Sequence, residues 1–181
     1  MSDIQNARLA TLVTLAEKSS QKLGRTAFMK LCYFLQTLRS VPLGYRFTLY
    51  AYGPFDSGVL SDLATAEALG GLQSTIIYYP SGYGYQISAS ENSTLIKELG
   101  ADFLEQHETN IDWVLQQFAH FGSADLELLS TIVYVNRKSA EICTSEQLAD
   151  VVHEIKPHFT NQSIRERLTG LLDQGLLQGI S

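Results

Sequence analysis

With 45% hydrophobic and 18% charged residues, this 181-residue chain is too apolar for a disordered polymer and long enough to bury one large core or two small ones. No apolar run approaches the roughly 18 residues of a bilayer span, and the N-terminus lacks the basic and apolar regions of a signal peptide, so a cytoplasmic protein is expected. The net charge of −6 divides unevenly: residues 1–60 carry seven Lys/Arg against three Asp/Glu, residues 61–120 one against eight, and residues 121–181 five against eight. An acidic whole disfavours strong non-specific DNA binding, which needs many neutralised phosphates, while the basic N-terminal third suits one basic face or a protein-pairing surface.

Along the chain, Ile4, Leu9, Leu12, Val13 and Leu15 predict a first amphipathic helix over residues 3–19. After Gly24 a second helix opens near Thr26 and holds Phe28, Met29, Leu31, Cys32, Phe34, Leu35 and Leu38 on more than one face, which predicts a central, mostly buried element. Lys22, Arg25, Lys30 and Arg39 flank or punctuate it. Pro42 ends it. Phe47, Leu49 and Ala51 then alternate with Thr48, Tyr50 and Tyr52, the period of a half-buried strand. Gly53-Pro54 predicts the start of a third helix from about Phe55 to Leu69, capped by Asp56 or Ser57 and ended by Gly70-Gly71. Two strand-like runs, 72–79 and 83–88, flank a Pro80-Ser81-Gly82 turn. Helix, short strand, helix and hairpin in this order describe a winged helix.

Beyond Ala89 no further strand is expected. Ser90-Glu91 opens a helical stretch with Leu95, Ile96, Leu99, Phe103 and Leu104, which Asn110 restarts before a break at Gly122. Ser123 opens another helix, Thr144-Ser-Glu-Gln147 has capping-box spacing, and Thr160 caps a last helix ending at Gly175. Val59-Leu60-x-x-Leu63 running to Gly70-Gly-Leu-Gln73 and Ile164-x-x-x-Leu168 running to Gly175-Leu-Leu-Gln178 echo each other in spacing and ending. A second helix-turn-helix-like unit is one reading, and the ordinary way amphipathic helices end accounts for the echo equally well. The expected fold is therefore mainly α (α+β), with a winged-helix-like domain over 1–89 and a helical domain over 90–181.

Chemistry is sparse. Among His107, His120, His153, His158, Cys32 and Cys143 no pair has the tight Cys-x-x-Cys or His-x-x-x-His spacing of a zinc site, and His153 and His158 flank Pro157 and share no helical face, so neither metal nor cofactor is expected. Both cysteines read as reduced thiols. No Gly-x-Ser-x-Gly elbow occurs, and Gly82, Gly84 and their neighbours form neither a Walker loop nor a dinucleotide fingerprint, so an enzyme is not expected.

The tyrosines Tyr50, Tyr52, Tyr78, Tyr79, Tyr83 and Tyr85 carry the most functional promise, since tyrosine offers large contact area at low entropy cost. Good strand formation accounts for them equally well. A duplex-reading winged helix would carry Arg, Lys, Asn or Gln on its third helix, which here offers Ser57, Ser61, Asp62, Thr65 and Glu67. DNA is disfavoured as a partner on that ground, and a homodimer stays open.

Met29-Lys-Leu-x-Tyr33-Phe, followed by Phe47-x-x-Tyr50-x-Tyr52-Gly-Pro54 and a helix ending Leu69-Gly-Gly, resembles the Panacea-domain (SocA-like) proteins over residues 22–75. These are bacterial and phage-associated proteins, several of them antitoxins that neutralise toxins by direct binding and one an adaptor to a protease. The resemblance implies that Lys30, Tyr33, Tyr52, Gly53 and Pro54 are motif residues, with glycine and proline shaping a turn and lysine and tyrosine packing around it. It further implies a non-enzymatic protein-binding role toward a partner such as a toxin encoded nearby. A winged-helix transcription regulator is the alternative.

Overall fold

The computed structural model describes residues 2–80, 82–139, 141 and 144–180. Among these the elements run α1 (Asp3–Lys18), α2 (Arg25–Leu38), β1 (Thr48–Tyr50), β2 (Gly53–Phe55), α3 (Ser57–Ala68), β3 (Leu72–Tyr79), β4 (Gly82–Ala89), α4 (Ser93–Leu99), α5 (Ala101–Phe118), α6 (Ser123–Lys138), α7 (Ser145–Ile155) and α8 (Asn161–Asp173). The fold is mainly α with two antiparallel hairpins, β1–β2 and β3–β4, which do not join into one sheet.

The chain divides into two compact units, but not at residue 89. One unit comprises Met1–Phe47 and Asp56–Gly122, the other Thr48–Phe55 and Ser123–Ser181. The expected boundary fails in two places. Helices α4 and α5 belong with the first unit because Ile96, Ile111, Val114 and Phe118 are buried in its core. The β1–β2 hairpin leaves it because the hairpin packs on α6.

In the first unit α1 and α2 are both central. The expectation of an amphipathic α1 is corrected: positions 9–15 are buried without interruption, and the hydroxyls of Thr11 and Thr14 are satisfied by donating to the carbonyls of Ala7 and Ala10 at 2.8 Å. Helix α2 buries Phe28, Leu31, Cys32, Phe34 and Leu35, and Phe34 stacks on Phe118 of α5 with centroids 4.0 Å apart. Burial raises the Cys32 thiol well above its ordinary pKa and leaves it protonated. Cys143 lies outside the described residues.

A winged-helix order is present, with its first strand displaced from the expected place. Ile87 donates its backbone N–H to Leu23 at 2.8 Å, so the short bridge between α1 and α2 meets the β3–β4 hairpin. Helix, bridge, two helices and hairpin follow one another. The run 47–52, expected to supply that strand, instead folds back on itself. Pro54 does not open α3. It pairs with Leu49 inside β2, and α3 begins at Ser57 with Asp56 Oδ1 accepting from the Gly58 N–H at 2.7 Å.

The break between α4 and α5 falls at Gly100, not at Asn110, which lies within continuous helix. A Cβ on Gly100 would come within 2.7 Å of Ala10 Cβ, so the glycine permits close approach of this corner to α1.

In the second unit α6, α7 and α8 pack against one another, and the Thr144–Gln147 capping box opens α7 as its spacing predicts. Arg167 on α8 holds Asp125 on α6 at 3.0 Å. The echo between the ends of α3 and α8 is a shared C-cap: Gly70 and Gly175 donate to Glu67 and Leu172, and Gly71 and Leu176 to Ala66 and Leu171. A hairpin follows the first cap, and among the described residues none follows the second.

Candidate functional site

The six candidate tyrosines divide between the two units. Tyr50 and Tyr52 border the β1–β2 turn, whereas Tyr78, Tyr79, Tyr83 and Tyr85 line the β3–β4 hairpin.

Strand alternation sets the chemistry of the longer hairpin. Its register pairs Leu72 with Ala89, Ser74 with Ile87, Ile76 with Tyr85 and Tyr78 with Tyr83, so these eight residues share one face. At its base Leu72 and Ile87 are buried in the core. The same apolar stripe then runs outward into solvent, with Ile76 48% exposed, Tyr83 65% and Tyr78 80%. Tyr83 and Tyr85 meet edge to face at 5.9 Å, and the Arg25 guanidinium lies 3.6 Å from the Tyr85 ring centroid, so a cation covers the stripe near its base. Tyr79 sits on the opposite face against Gly84. Ser81, in the expected turn, lies outside the described residues.

One property of this hairpin was missed from sequence although it is legible there: residues 72–89 contain no Asp, Glu, Lys or Arg. Exposed strands are ordinarily protected by charge. A neutral, tyrosine-rich stripe of this length is the kind of surface that protein interfaces use.

The shorter hairpin is held by buried charge. Ala51 and Tyr52 form its two-residue loop, and Gly53 follows at φ +86°. A Cβ there would meet Thr131 Oγ1 at 3.1 Å and Ser130 Oγ at 3.2 Å, so the conformation favours glycine and the neighbours leave little room for a side chain. Lys156, at the end of α7, donates to the carbonyls of Tyr50 and Ala51 and forms a buried ion pair with Glu127 of α6 at 2.8 Å. His158 Nε2 lies 3.4 Å from the same carboxylate. Tyr50 and Tyr52 project from this clamped turn, 67% and 72% exposed. Neither Lys156 nor Glu127 was singled out from sequence, because a lysine beside a proline gives no sign of being buried.

The motif residues do not form one exposed site. Lys30 and Tyr33 are buried in the first unit, Gly53 and Pro54 are buried in the second, and Tyr52 alone is exposed.

Asp62, expected on the outer face of α3, is buried. It accepts from the Tyr45 hydroxyl at 2.9 Å and faces Arg8 at 3.8 Å. Arg8 also donates to the carbonyls of Leu43 and Gly44, and Gln36 brackets the backbone of Tyr45, so the 41–46 loop is pinned from three sides. Burial raises the Asp62 carboxyl above its usual range against the opposing pull of Tyr45 and Arg8, and raises the Tyr45 hydroxyl as well.

The exposed positions of α3 are thus Ser57, Ser61, Ala64 and Ala68, with no base-reading side chain. Of the basic residues around α2, Lys30 is buried, Arg25 covers Tyr85 and Arg39 lies over Trp113 and donates to Asn110.

Among the described residues no group of three His, Cys, Asp or Glu side chains could hold a metal ion, and no helix is long and apolar enough to cross a membrane. A groove of about 400 Å³ between α1, α4 and α5 is rimmed by Glu17, Lys18, Lys97, Glu105 and Glu108. Its lysines are committed to ion pairs, Lys18 with Glu108 and Asp112 and Lys97 with Glu17.

No protein-family model matches the chain, and no curated protein matches it significantly.

Proposed function

We propose that this chain is a non-enzymatic protein-binding module of bacterial or phage origin, acting in the cytoplasm, whose binding surface is the outer half of the β3–β4 hairpin. The observation that carries the reading is the neutral stripe of Ile76, Tyr78 and Tyr83, which continues the core outward and is exposed at its end. Aromatic anchors of this type gain energy by being desolvated against a partner and lose little side-chain entropy in doing so. The exposed face of α3 and the burial of Lys30 weigh against a duplex-reading role.

The resemblance to Panacea-domain proteins supplies the more specific form of the proposal: a toxin encoded beside this chain, neutralised or delivered by direct binding. The test is to express the product of the adjacent gene alone and together with this chain. Growth arrest relieved by co-expression, with a complex that co-purifies, is the expected result. A Tyr78→Ser/Tyr83→Ser variant loses both effects while keeping its circular dichroism. Absence of toxicity together with absence of co-purification overturns the antitoxin reading. Salt-dependent binding of a DNA duplex would favour a transcription regulator instead.

A further inference from the structure

The geometry points to a second copy of this chain as the partner of the β3 edge, through antiparallel pairing of β3 with its own counterpart about Ile76. The inference concerns the edge of the hairpin rather than its face and holds or fails independently of the antitoxin reading.

Backbone parity identifies the groups involved. Ile87 sends its N–H away from β3 to Leu23, so Ser74 and Ile87 are a non-hydrogen-bonded pair. By alternation Ile76 and Tyr78 occupy the same kind of position, and the N–H and C=O groups of Ser74, Ile76 and Tyr78 point outward from the sheet. Among the described residues none of these groups has a backbone partner in another element. On the other side of the hairpin β4 is met by Leu23 and Gly24. The open edge is therefore that of β3.

Natural sheets guard such an edge with charge, proline, a bulge or brevity. Here β3 is eight residues long, has no charge or proline, and keeps unbroken register with β4 across all eight of its pairs. What selects a second copy is self-complementarity. A two-fold axis at Ile76 sets Ile76 against Ile76, Ser74 against Tyr78, and Thr75 against Ile77, so apolar side chains meet at the axis, a small residue lies beside a large one, and β-branched residues pair on the other face. A charged residue near that axis would face its own kind. In a chain of net charge −6, residues 72–89 carry no charge of their own; the Glu67 carboxylate accepts from the Ser74 hydroxyl at the inner end of the edge, so the stretch from Ile76 outward is the uncharged part through which two copies can approach. Pairing would join two hairpins into a four-stranded sheet and make the two tyrosine stripes continuous.

Sedimentation of the full chain over a concentration series, with amide hydrogen exchange at its two ends, tests this. The expected result is a monomer–dimer equilibrium, with Ile76 and Tyr78 amides protected in the dimer and unprotected in the monomer. Ile76→Lys, at an exposed position, is expected to shift the dimer midpoint at least tenfold toward higher concentration. A chain that stays monomeric throughout overturns the proposal. So does a dimer whose β3 amides remain unprotected, a readout that needs no variant. A monomer whose β3 edge becomes protected only on adding another protein also overturns it, and assigns the edge to a foreign strand.

Discussion

The molecule carries two antiparallel hairpins that both present tyrosines, and they are supported in opposite ways. The β1–β2 hairpin is short, turns on a left-handed glycine, and has its turn carbonyls tied to a buried Lys156–Glu127 pair. The β3–β4 hairpin is long, neutral and held at its base by Leu72 and Ile87, while its outer half stands clear of the core. Buried charge makes the first intolerant of change, because a lone ion left in the interior cannot be solvated. The second has little to lose in stability, so its sequence is free to serve a surface. Exposed tyrosine alone therefore does not define a site; what holds the backbone beneath it separates a clamped turn from a free-standing hairpin, and the second is the surface proposed above as an interface.

The sharpest test of that difference is Lys156→Met. It leaves Glu127 buried without its main partner and removes the donor to Tyr50 and Ala51, at an expected cost of ~3–5 kcal/mol in urea unfolding. Adding Glu127→Leu should recover much of that loss, since a neutral pair removes the stranded charge. Amides of β1–β2 should exchange faster in the single variant and those of β3–β4 should not. Equal acceleration in both hairpins would break the contrast. Next in size is Gly53→Ala, which forces an alanine to φ +86° against Thr131 and should cost ~1–3 kcal/mol. The matching change in the other hairpin, Gly84→Ala, meets only the edge of the Tyr79 ring. It should lie between neutral and a gain of about 0.5–1 kcal/mol, the penalty of glycine in a strand less whatever the Tyr79 ring must yield.

A pH profile probes the loop that leads into the clamped hairpin. Because Asp62 has a raised pKa in the folded state, the fold binds a proton there more tightly than the unfolded chain does. Stability from this group is thus greatest at low pH and falls as pH rises from the ordinary carboxylate value, about 3.9, through the raised one. Asp62→Asn should flatten that part of the urea-midpoint profile relative to wild type. An unchanged difference between the two proteins across the window would mean that the carboxyl titrates normally.

These contrasts were partly legible in the sequence. Periodicity placed the helices, and the capping residues Asp56, Thr144 and Thr160 were readable because a side-chain cap is a local interaction. The β3–β4 hairpin was readable for the same reason. What escaped was non-local. Alternation over 47–52 looks the same whether the strand pairs with a distant hairpin or with the three residues after its own turn, and only the packing of Gly53 on Thr131 and Ser130 decides. Likewise α1 was read as amphipathic because its buried threonines and alanines resemble a polar face; hydrogen bonds to preceding carbonyls make them core. Asp62 appeared exposed because its partners, Arg8 and Tyr45, lie far off in the chain. The uncharged run 72–89 was visible all along, but its meaning depends on which half is covered.

The smallest expected effect on stability is the most informative about function. Tyr78→Ser and Tyr83→Ser remove aromatic rings that are mostly in water, so each should change the unfolding free energy by no more than ~0.5 kcal/mol. Tyr85→Ala, which loses the Arg25 stack at the base of the same stripe, should cost ~0.5–1 kcal/mol. A gradient from base to tip is the signature of a hairpin anchored at one end. If Tyr78→Ser destabilises as much as Tyr85→Ala, the outer half is buttressed by the fold and its tyrosines are structural. If the tip substitutions leave unfolding unchanged and abolish partner capture, the residues that contribute least to the fold are those that carry binding.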